Sequence, residues 1–512
     1  MKFKFISLIV TMFLFVMVSC RDDFDEHSNP DLQVENSMAE SLANSSISNP
    51  IVLGEKLVNP YSLDVMRKAL NELNSLKKSS ISEIKATHLY VRFKPQDEAE
   101  FNEIAWDNTI LYYPFPLDYE IVEDGDFYQD PSIEDGKPTF QYCVFKIGQK
   151  IPNVEYEVLD SCYILEETNV VEEEGVELSK SFEVVNGDWK QLEKIALGIA
   201  EIEDSPMSIS KNWLPTCTLR YYDDSKRAVV PIEGVQVRCR NNLMISTQRC
   251  TDSEGYAKFD HKSGKVDYFI HWQRDKFKVR PNTGLNEAVT TLKKNTKSRI
   301  DVTFYKNSSD WPNEWKYAHV FRPAYTYVYG NIDGLSRPAA NLTLRVKDWE
   351  DYRDAGGCSP RDNGSHSDIH IYNLNSHSSD FIYGTVIHEI AHYSHRTGLL
   401  QSDYLFSLVN SALIEGWAVG VENYLTSKSY PGYRFFKFYD PGAPYSEIVT
   451  NMIEGSDRNY IKVTNQVYTI TEIERTLKTA RSWTEWRNNV KSYYPLKNNE
   501  KYIDKLFADW DR

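Results

Sequence analysis

The sequence lacks several signatures that mark common functional classes. It has no excess of basic residues: 58 Lys and Arg stand against 74 Asp and Glu, a formal net charge of −16. This balance argues against a nucleic-acid partner, because phosphate binding needs a basic face. No C-x-x-C pair, G-x-x-x-x-G-K-[ST] loop or G-x-S-x-G elbow occurs, so a cysteine zinc site, a phosphate cradle and a serine hydrolase have no support.

Long apolar runs are absent beyond the first twenty residues, which argues against a later membrane span. The opening segment has Lys2 and Lys4, then an apolar run over residues 5–18, and ends just before Cys20. This pattern resembles a bacterial lipoprotein signal, which implies removal of residues 1–19 and a lipid anchor on Cys20. A plain secretory signal with an incidental cysteine is the alternative.

The residues after Cys20 predict a location and a tether. The acidic stretch 21–26 resembles the export signal of surface lipoproteins of the Bacteroidota, which implies an outer-membrane protein exposed on the cell surface. Residues 27–50 are rich in Ser and Asn and have no hydrophobic periodicity, so residues 20–50 are predicted to form a flexible tether.

Six cysteines follow Cys20, and an exported protein can pair them. Cys239 and Cys250 flank Asn241 and Asn242 within one predicted hairpin, so they are the favoured pair. The sequence does not choose among the other pairings.

Two regions are predicted before the C-terminal third. Residues 51–205 combine a helical stripe over 61–78 with several strand-like runs, which predicts an N-terminal α+β module. Residues 213–305 carry short alternating strands separated by turns, which predicts a small β-sandwich. Its strands are expected at residues 217–222, 228–239, 243–250, 256–260 and 266–272.

The sandwich segment resembles a known module. Gly234-Val235-Gln236-Val237, followed by Thr251-Asp252-Ser253-Glu254-Gly255-Tyr256, is similar to the carboxypeptidase regulatory-like sandwich. The resemblance implies a spacer or binding module. A calcium site at Asp252 and Glu254 is one interpretation of this turn, and a bare turn is the favoured one.

The last region is predicted from about residue 309. A helix over 313–322 is expected to stop at Pro323. Strands are expected at 342–346 and 368–372, followed by two long helices over 380–397 and 403–426.

The first long helix carries His388-Glu389-Ile390-Ala391-His392, an H-E-x-x-H motif. Residues i and i+4 lie on one helical face, so His388 and His392 can direct two imidazoles at one zinc ion. Glu389 lies on the same turn and can act as the base toward water activated by the metal.

Catalytic zinc usually has three protein ligands, and three positions are candidates for the third. Metzincins place a histidine where this sequence has Gly398, which excludes that family. His395 lies about 10.5 Å along the helix axis from His388, a span that one ion can hardly bridge. It is interpreted as a residue behind the ligands or at the surface. Glu415, on the next predicted helix, is the third candidate.

An H-E-x-x-H helix followed by a helix with Glu415-Gly416-Trp417-Ala418 resembles the gluzincin metallopeptidases. The resemblance implies that His388, His392 and Glu415 bind Zn²⁺ and that Glu389 is the general base. The gap between the motifs is a few residues longer than in the thermolysin-like and aminopeptidase N-like branches. Ile414 also stands where Asn is common, and the enhancin-like branch allows variable gaps.

Other residues could bind the substrate, orient a zinc ligand or stabilise an oxyanion near this motif. The strand at 368–372 is expected at a sheet edge, where a peptide could pair with it. Glu422 either orients a ligand or, as the favoured interpretation, is a surface carboxylate. The sequence does not choose among the candidates for stabilising an oxyanion, which are Tyr393, Tyr424, Tyr433, Tyr439 and Tyr445.

Together these features predict a multidomain α+β protein. The N-terminal α+β module and the small β-sandwich are expected to precede a zincin-like, mostly helical catalytic domain over 309–512. The expected function is a surface-anchored zinc metallopeptidase, most consistent with an endopeptidase, that acts on extracellular proteins or glycoproteins. The alternatives are a non-catalytic binding or adhesion lipoprotein with a zincin scaffold and a zinc hydrolase of non-peptide amides.

Overall fold

A computed structural model describes most of the chain beyond the predicted signal segment. The described residues are 49–77, 79–164, 180–202, 213–262, 264–347, 357–358, 368–435, 445–497 and 500–510. The predictions for residues 1–19, the lipidated Cys20, nearly all of the tether and Tyr439 lie outside these residues. Within the described residues, no helix is long and apolar enough to cross a membrane.

The N-terminal region contains an antiparallel sheet with the strand order β3-β5-β2-β6, a separate β1-β4 ribbon and three helices. Its elements are β1 (Val52–Lys56), α1 (Leu63–Leu76), β2 (His88–Phe93), α2 (Glu98–Ala105), β3 (Tyr112–Tyr113), β4 (Tyr119–Glu123), β5 (Gln141–Lys146), β6 (Tyr156–Cys162) and α3 (Lys180–Ile199). The Ser62 hydroxyl accepts the Val65 N–H and caps α1. Met66 and Leu70 of α1 share a buried core with Leu192 of α3, so the predicted helical stripe is confirmed.

Two further sheets share one core. The next ten strands are β7 (Thr216–Asp223), β8 (Ala228–Pro231), β9 (Gln236–Asn241), β10 (Ile245–Cys250), β11 (Tyr256–Lys258), β12 (Val266–His271), β13 (Gln273–Arg274), β14 (Phe277–Arg280), β15 (Val289–Thr296) and β16 (Ile300–Phe304). One sheet has the order β10-β9-β12-β15, and in the other β7 pairs with β16, β8 and β11. Leu219 of β7, Val237 of β9 and Ile270 of β12 lie in the common core.

The predicted Cys239–Cys250 disulfide is wrong, because both thiols are free. In the antiparallel β9–β10 pair, Cys239 lies opposite Thr247 and Cys250 opposite Gln236. Cys250 is thus three residues beyond the partner of Cys239. Side chains alternate faces along a strand, so an odd offset places the two sulfurs on opposite faces of the sheet.

The prediction of a mostly helical C-terminal domain is also wrong. The described structure is α+β, with 35% helix and 25% strand and many sheets. A five-stranded sheet of order β13-β14-β17-β19-β18 lies in this part of the chain, with β17 (Leu342–Lys347), β18 (Gly357–Cys358) and β19 (Ile369–Tyr372). Its strand β14 comes from before residue 309 and pairs in parallel with β17. Periodicity could not reveal this pairing, because parallel strands join segments that are distant in sequence.

Within that sheet, β19 is not at the edge, contrary to the prediction. β17 flanks it in parallel on one side, and β18 pairs antiparallel with it on the other. The backbone of Gly357 lies opposite Ile371, and that of Cys358 lies opposite His370. The two-residue strand β18 therefore pairs with the edge of β19 that was expected to receive a peptide.

The helices of this region are α4 (Glu314–Tyr329), α5 (Ser379–Ser394), α6 (Asp403–Ser407), α7 (Ser411–Ser429), α8 (Ile448–Glu454), α9 (Ile470–Leu477), α10 (Trp483–Tyr493) and α11 (Glu500–Asp509). Two of these helices, α4 and α5, pack on the five-stranded sheet, and the others pack on neighbouring helices. α4 continues through Pro323, because Ala324 and Tyr327 beyond it are buried in the core. The predicted helix 403–426 is in fact α6 and α7, and the Asn410 side chain caps α7 by accepting the Ala412 N–H.

Candidate metal centre

Helix α5 carries the H-E-x-x-H motif through the centre of the C-terminal region. It contacts α4 on one side and α7 on another, and nearly all of its side chains are buried. A helix that is apolar or enclosed on all sides belongs to a protein interior. The Ser379 hydroxyl at its start lies 2.8 Å from Nε2 of His319. The other ring nitrogen of His319 faces the Trp315 carbonyl at 2.8 Å, so Nε2 is the nitrogen that accepts from Ser379.

The structure brings His388, His392 and Glu415 together. One potential ligand atom from each lies within 4.8 Å of the others. Glu415 Oε2 is 3.2 Å from Nε2 of His388 and 3.4 Å from Nε2 of His392. The two imidazole rings are 4.7 Å apart and nearly perpendicular. The facing helices α5 and α7 thus place three donor atoms around one point.

Glu422 lies directly behind His388. Its Oε2 is 2.9 Å from Nδ1 of His388, and its side chain is 1% exposed. The Tyr433 hydroxyl donates to the other carboxylate oxygen of Glu422. The favoured interpretation of Glu422 as a surface carboxylate is therefore wrong, and the alternative, an orienting role, matches the contact. A carboxylate on Nδ1 fixes the tautomer and leaves Nε2 to accept a proton or a metal.

Gly384 makes room for this pair. It lies one turn before His388 on α5, and a Cβ there would overlap the Tyr433 hydroxyl and approach Glu422 Oε1. Gly384 was not among the residues predicted from the sequence. The only sequence signal is a glycine inside a helical pattern, which costs up to about 1 kcal/mol of helix stability unless close packing requires it.

We expect Gly384→Ala to lower the melting temperature. Forcing a methyl group against Tyr433 costs about 1–3 kcal/mol, which exceeds the gain of about 1 kcal/mol in helix propensity. Gly187→Ala in α3 is the matched control, because a Cβ at that helical position meets no atom within 4 Å. Thermal unfolding of both variants tests the prediction. A Gly384→Ala protein as stable as Gly187→Ala would contradict it.

Glu389 is buried beside the two histidines but is not one of the three converging donors. Its side chain is 5% exposed, and its Oε2 has no hydrogen-bond partner among the described residues. Burial raises the pKa of Glu389 and outweighs the opposing effect of His388 and His392, and the carboxylates of Glu415 and Glu422 raise it further. A buried, unpartnered carboxylate is costly, so this oxygen is available to a ligand.

The protonation states of the histidines and carboxylates in this cluster depend strongly on one another. Burial opposes protonation of His388, but the carboxylates of Glu415 and Glu422 outweigh it and raise the pKa of His388 well above its usual range. Burial also raises the pKa of Glu415, yet His392 and His388 outweigh it, and the pKa falls well below its usual range. The groups therefore favour a state in which positive charge sits among the carboxylates.

His395 belongs to the core. It is 1% exposed, packs edge-on against Phe406 at 5.4 Å, and has no hydrogen-bond partner for either ring nitrogen among the described residues. Burial lowers its pKa to about 3. The surface interpretation of His395 is wrong, and it is not among the three converging donors.

The tyrosines that were candidates for stabilising an oxyanion differ in their distance from the three donors. Tyr393 donates to the Asn341 carbonyl, Tyr424 to Asp333, and Tyr433 to Glu422. Tyr445 is the described candidate whose ring lies near the donors, 6.1 Å from the His388 ring. Phe435 stacks on the same imidazole at 6.0 Å and was not identified from the sequence, since an isolated aromatic residue gives no signal.

No family model matches this sequence, and none of the curated proteins compared with it matches.

Proposed function

We propose that this protein is a zinc-dependent metallopeptidase of the gluzincin type. The observation that carries the proposal is the convergence of His388, His392 and Glu415, whose donor atoms lie within 4.8 Å of one another. Two imidazoles and one carboxylate form the donor set of catalytic zinc sites that leave one position open.

Two of the three donor spacings match those expected around zinc. Ligands about 2.1 Å from a tetrahedral ion are about 3.4 Å apart. The two distances from Glu415 to the histidines are 3.2 and 3.4 Å. His388, His392 and Glu415 would therefore hold the ion without a large rearrangement of α5 or α7.

The charge of the cluster supports a cation. Three buried carboxylates, Glu389, Glu415 and Glu422, surround two imidazoles. Among the described residues, no lysine or arginine forms an ion pair with any of the three. With all three carboxylates ionised, one negative charge would remain uncompensated even if both imidazoles were protonated, and an unpaired buried charge is costly.

Zinc in such a site supplies Lewis acidity toward a carbonyl group and toward water. Glu389 would take a proton from the attacking water and deliver it to the leaving amine. His388 would keep its Nε2 directed at the ion, because Glu422 holds its Nδ1. Glu415 would bind the ion from the facing helix. A peptide bond of an extracellular protein or glycoprotein is the proposed substrate, and attachment through Cys20 at the cell surface belongs to the same proposal.

The direct test measures zinc in the purified soluble chain with Cys20 removed. About one zinc per chain, together with peptide hydrolysis that a chelator abolishes and zinc restores, supports the proposal. A folded, chelator-free protein that takes up no added zinc would overturn it. Zinc binding without hydrolysis of a broad peptide library favours the non-catalytic binding lipoprotein instead.

Glu422→Gln is expected to weaken zinc binding by roughly 10–100-fold. The amide keeps the shape of the side chain but lacks the negative charge that makes His388 a better donor. Competition with a chromophoric chelator measures the dissociation constant. Glu454→Gln is the control, because Glu454 lies on the neighbouring helix α8 and pairs with the partly exposed Arg434. Equal affinities of the two variants would contradict the role of Glu422.

A further inference from the structure

The start of α5 is capped by residues of the sandwich. The first N–H groups of a helix have no partner within the helix, and Ser378 provides no side-chain cap for them. Asp224 accepts the Ser379 N–H at 2.7 Å, and the Ser225 hydroxyl oxygen accepts the Asp380 N–H at 3.0 Å. Both capping residues lie in the hairpin turn between β7 and β8, here named the 223–226 turn.

The same turn holds the end of α7. Tyr430 is the residue that follows the last turn of α7, and its hydroxyl donates to Asp223 Oδ2 at 2.7 Å. The Lys226 ammonium lies 4.6 Å from the centre of the Tyr430 ring. Arg322 of α4 lies 3.6 Å from the same Asp223 oxygen, so α4 also contacts the 223–226 turn.

These contacts lie at similar axial distances from the metal centre along the two helices. His388 is nine residues after Ser379, about 13.5 Å along α5, and Glu422 is eight residues before Tyr430, about 12 Å along α7. At that level His388 Nδ1 meets Glu422 Oε2 at 2.9 Å. A slide of one helix by two residue rises, about 3 Å, would stretch a contact of this length that runs across the helix axes to about 4.2 Å, which is beyond hydrogen-bonding distance.

We infer that the 223–226 turn is a clamp that sets the axial register of α5 against α7 and thereby positions the zinc donors. Asp224 and Ser225 fix the start of one helix, and Asp223 and Lys226 fix the end of the other. The sandwich thus positions the helices that carry the zinc donors and is more than a spacer. The inference rests on the proposed function, because register matters for zinc only if the three donors bind zinc.

Asp224 and Ser225 are positioning residues, so the test needs a measure that loss of general stability does not change. We expect the double variant Asp224→Ala, Ser225→Ala to raise the zinc dissociation constant by roughly 10–100-fold, the range for residues that orient ligands. The constant is measured by chelator competition at a temperature where circular dichroism shows the variant to be folded. Asp224→Asn should restore most of the affinity, because its amide oxygen can accept the Ser379 N–H.

The matched control is Asp252→Ala, in the turn between β10 and β11 of the same sandwich. Asp252 Oδ1 accepts the N–H groups of Glu254 and Tyr256 at 2.9 Å each and does not contact α5 or α7. We expect this variant to lose stability but to keep its zinc affinity within about two-fold. Unchanged affinity in the Asp224 and Ser225 double variant would overturn the clamp alone. A wild-type chain that binds no zinc would overturn the clamp and the proposed function together.

Discussion

Glu389→Gln is expected to reduce peptide hydrolysis by roughly 10²–10⁴-fold while the protein keeps its zinc. The carboxylate is buried, is not one of the three converging donors, and has a free oxygen among the described residues. Its proposed work is proton transfer, which an amide cannot do. The amide keeps the volume of the side chain, so folding and metal content should be unchanged.

The measurement pairs kcat with metal analysis on the same preparation. Glu103→Gln, the same chemical change at an exposed position of α2, is the control and should match the wild type in both. Hydrolysis that survives in the Glu389→Gln protein would exclude Glu389 as the base. Loss of zinc together with activity would instead indicate that Glu389 belongs to the donor set.

Glu415→Ala should weaken zinc binding by more than about 100-fold, since a direct donor is worth more than the residue that orients a donor. Glu415 is the only one of the three donors on α7, and it lies within 3.4 Å of both imidazoles. Its loss leaves two histidines on a single helix. The proposed ion would then have no protein ligand from the facing helix.

Thermal unfolding with and without zinc gives a second measure of the same prediction. A ligand that binds only the folded state raises its stability in proportion to the logarithm of concentration over the dissociation constant. Added zinc should raise the melting temperature of the wild type and of Glu103→Ala but not that of Glu415→Ala. An equal rise in all three proteins would show that Glu415 does not bind the ion.

Local spacing predicted the part of the site that depends on one helix. His388 and His392 share a face because they are four residues apart, and α5 forms where the motif required it. The motif in the following helix also pointed to Glu415, which does meet the histidines. These features could be read from the sequence because a helix repeats at a fixed interval.

Features that depend on distant contacts could not be predicted in this way. The burial of Glu422 follows from Tyr433 and Gly384 enclosing it, and no local pattern distinguishes it from an exposed glutamate. Pro323 should end a helix by its own chemistry, but packing of the residues after it keeps α4 intact. The Cys239 and Cys250 pairing failed because strand register, not proximity in sequence, decides which side chains face each other.

Parallel pairing of β14 with β17 is expected to affect the order in which the chain folds. Pairing of segments far apart in sequence must first overcome the entropy of closing a long loop, whereas α5 and α7 are joined by a short connection. We expect the two metal-site helices to associate before the sheet beneath them is complete. Until residues 277–280 pair with it, β17 has an unpaired edge that can form hydrogen bonds with another chain. Late pairing of β14 would therefore explain both slow refolding and aggregation at high protein concentration.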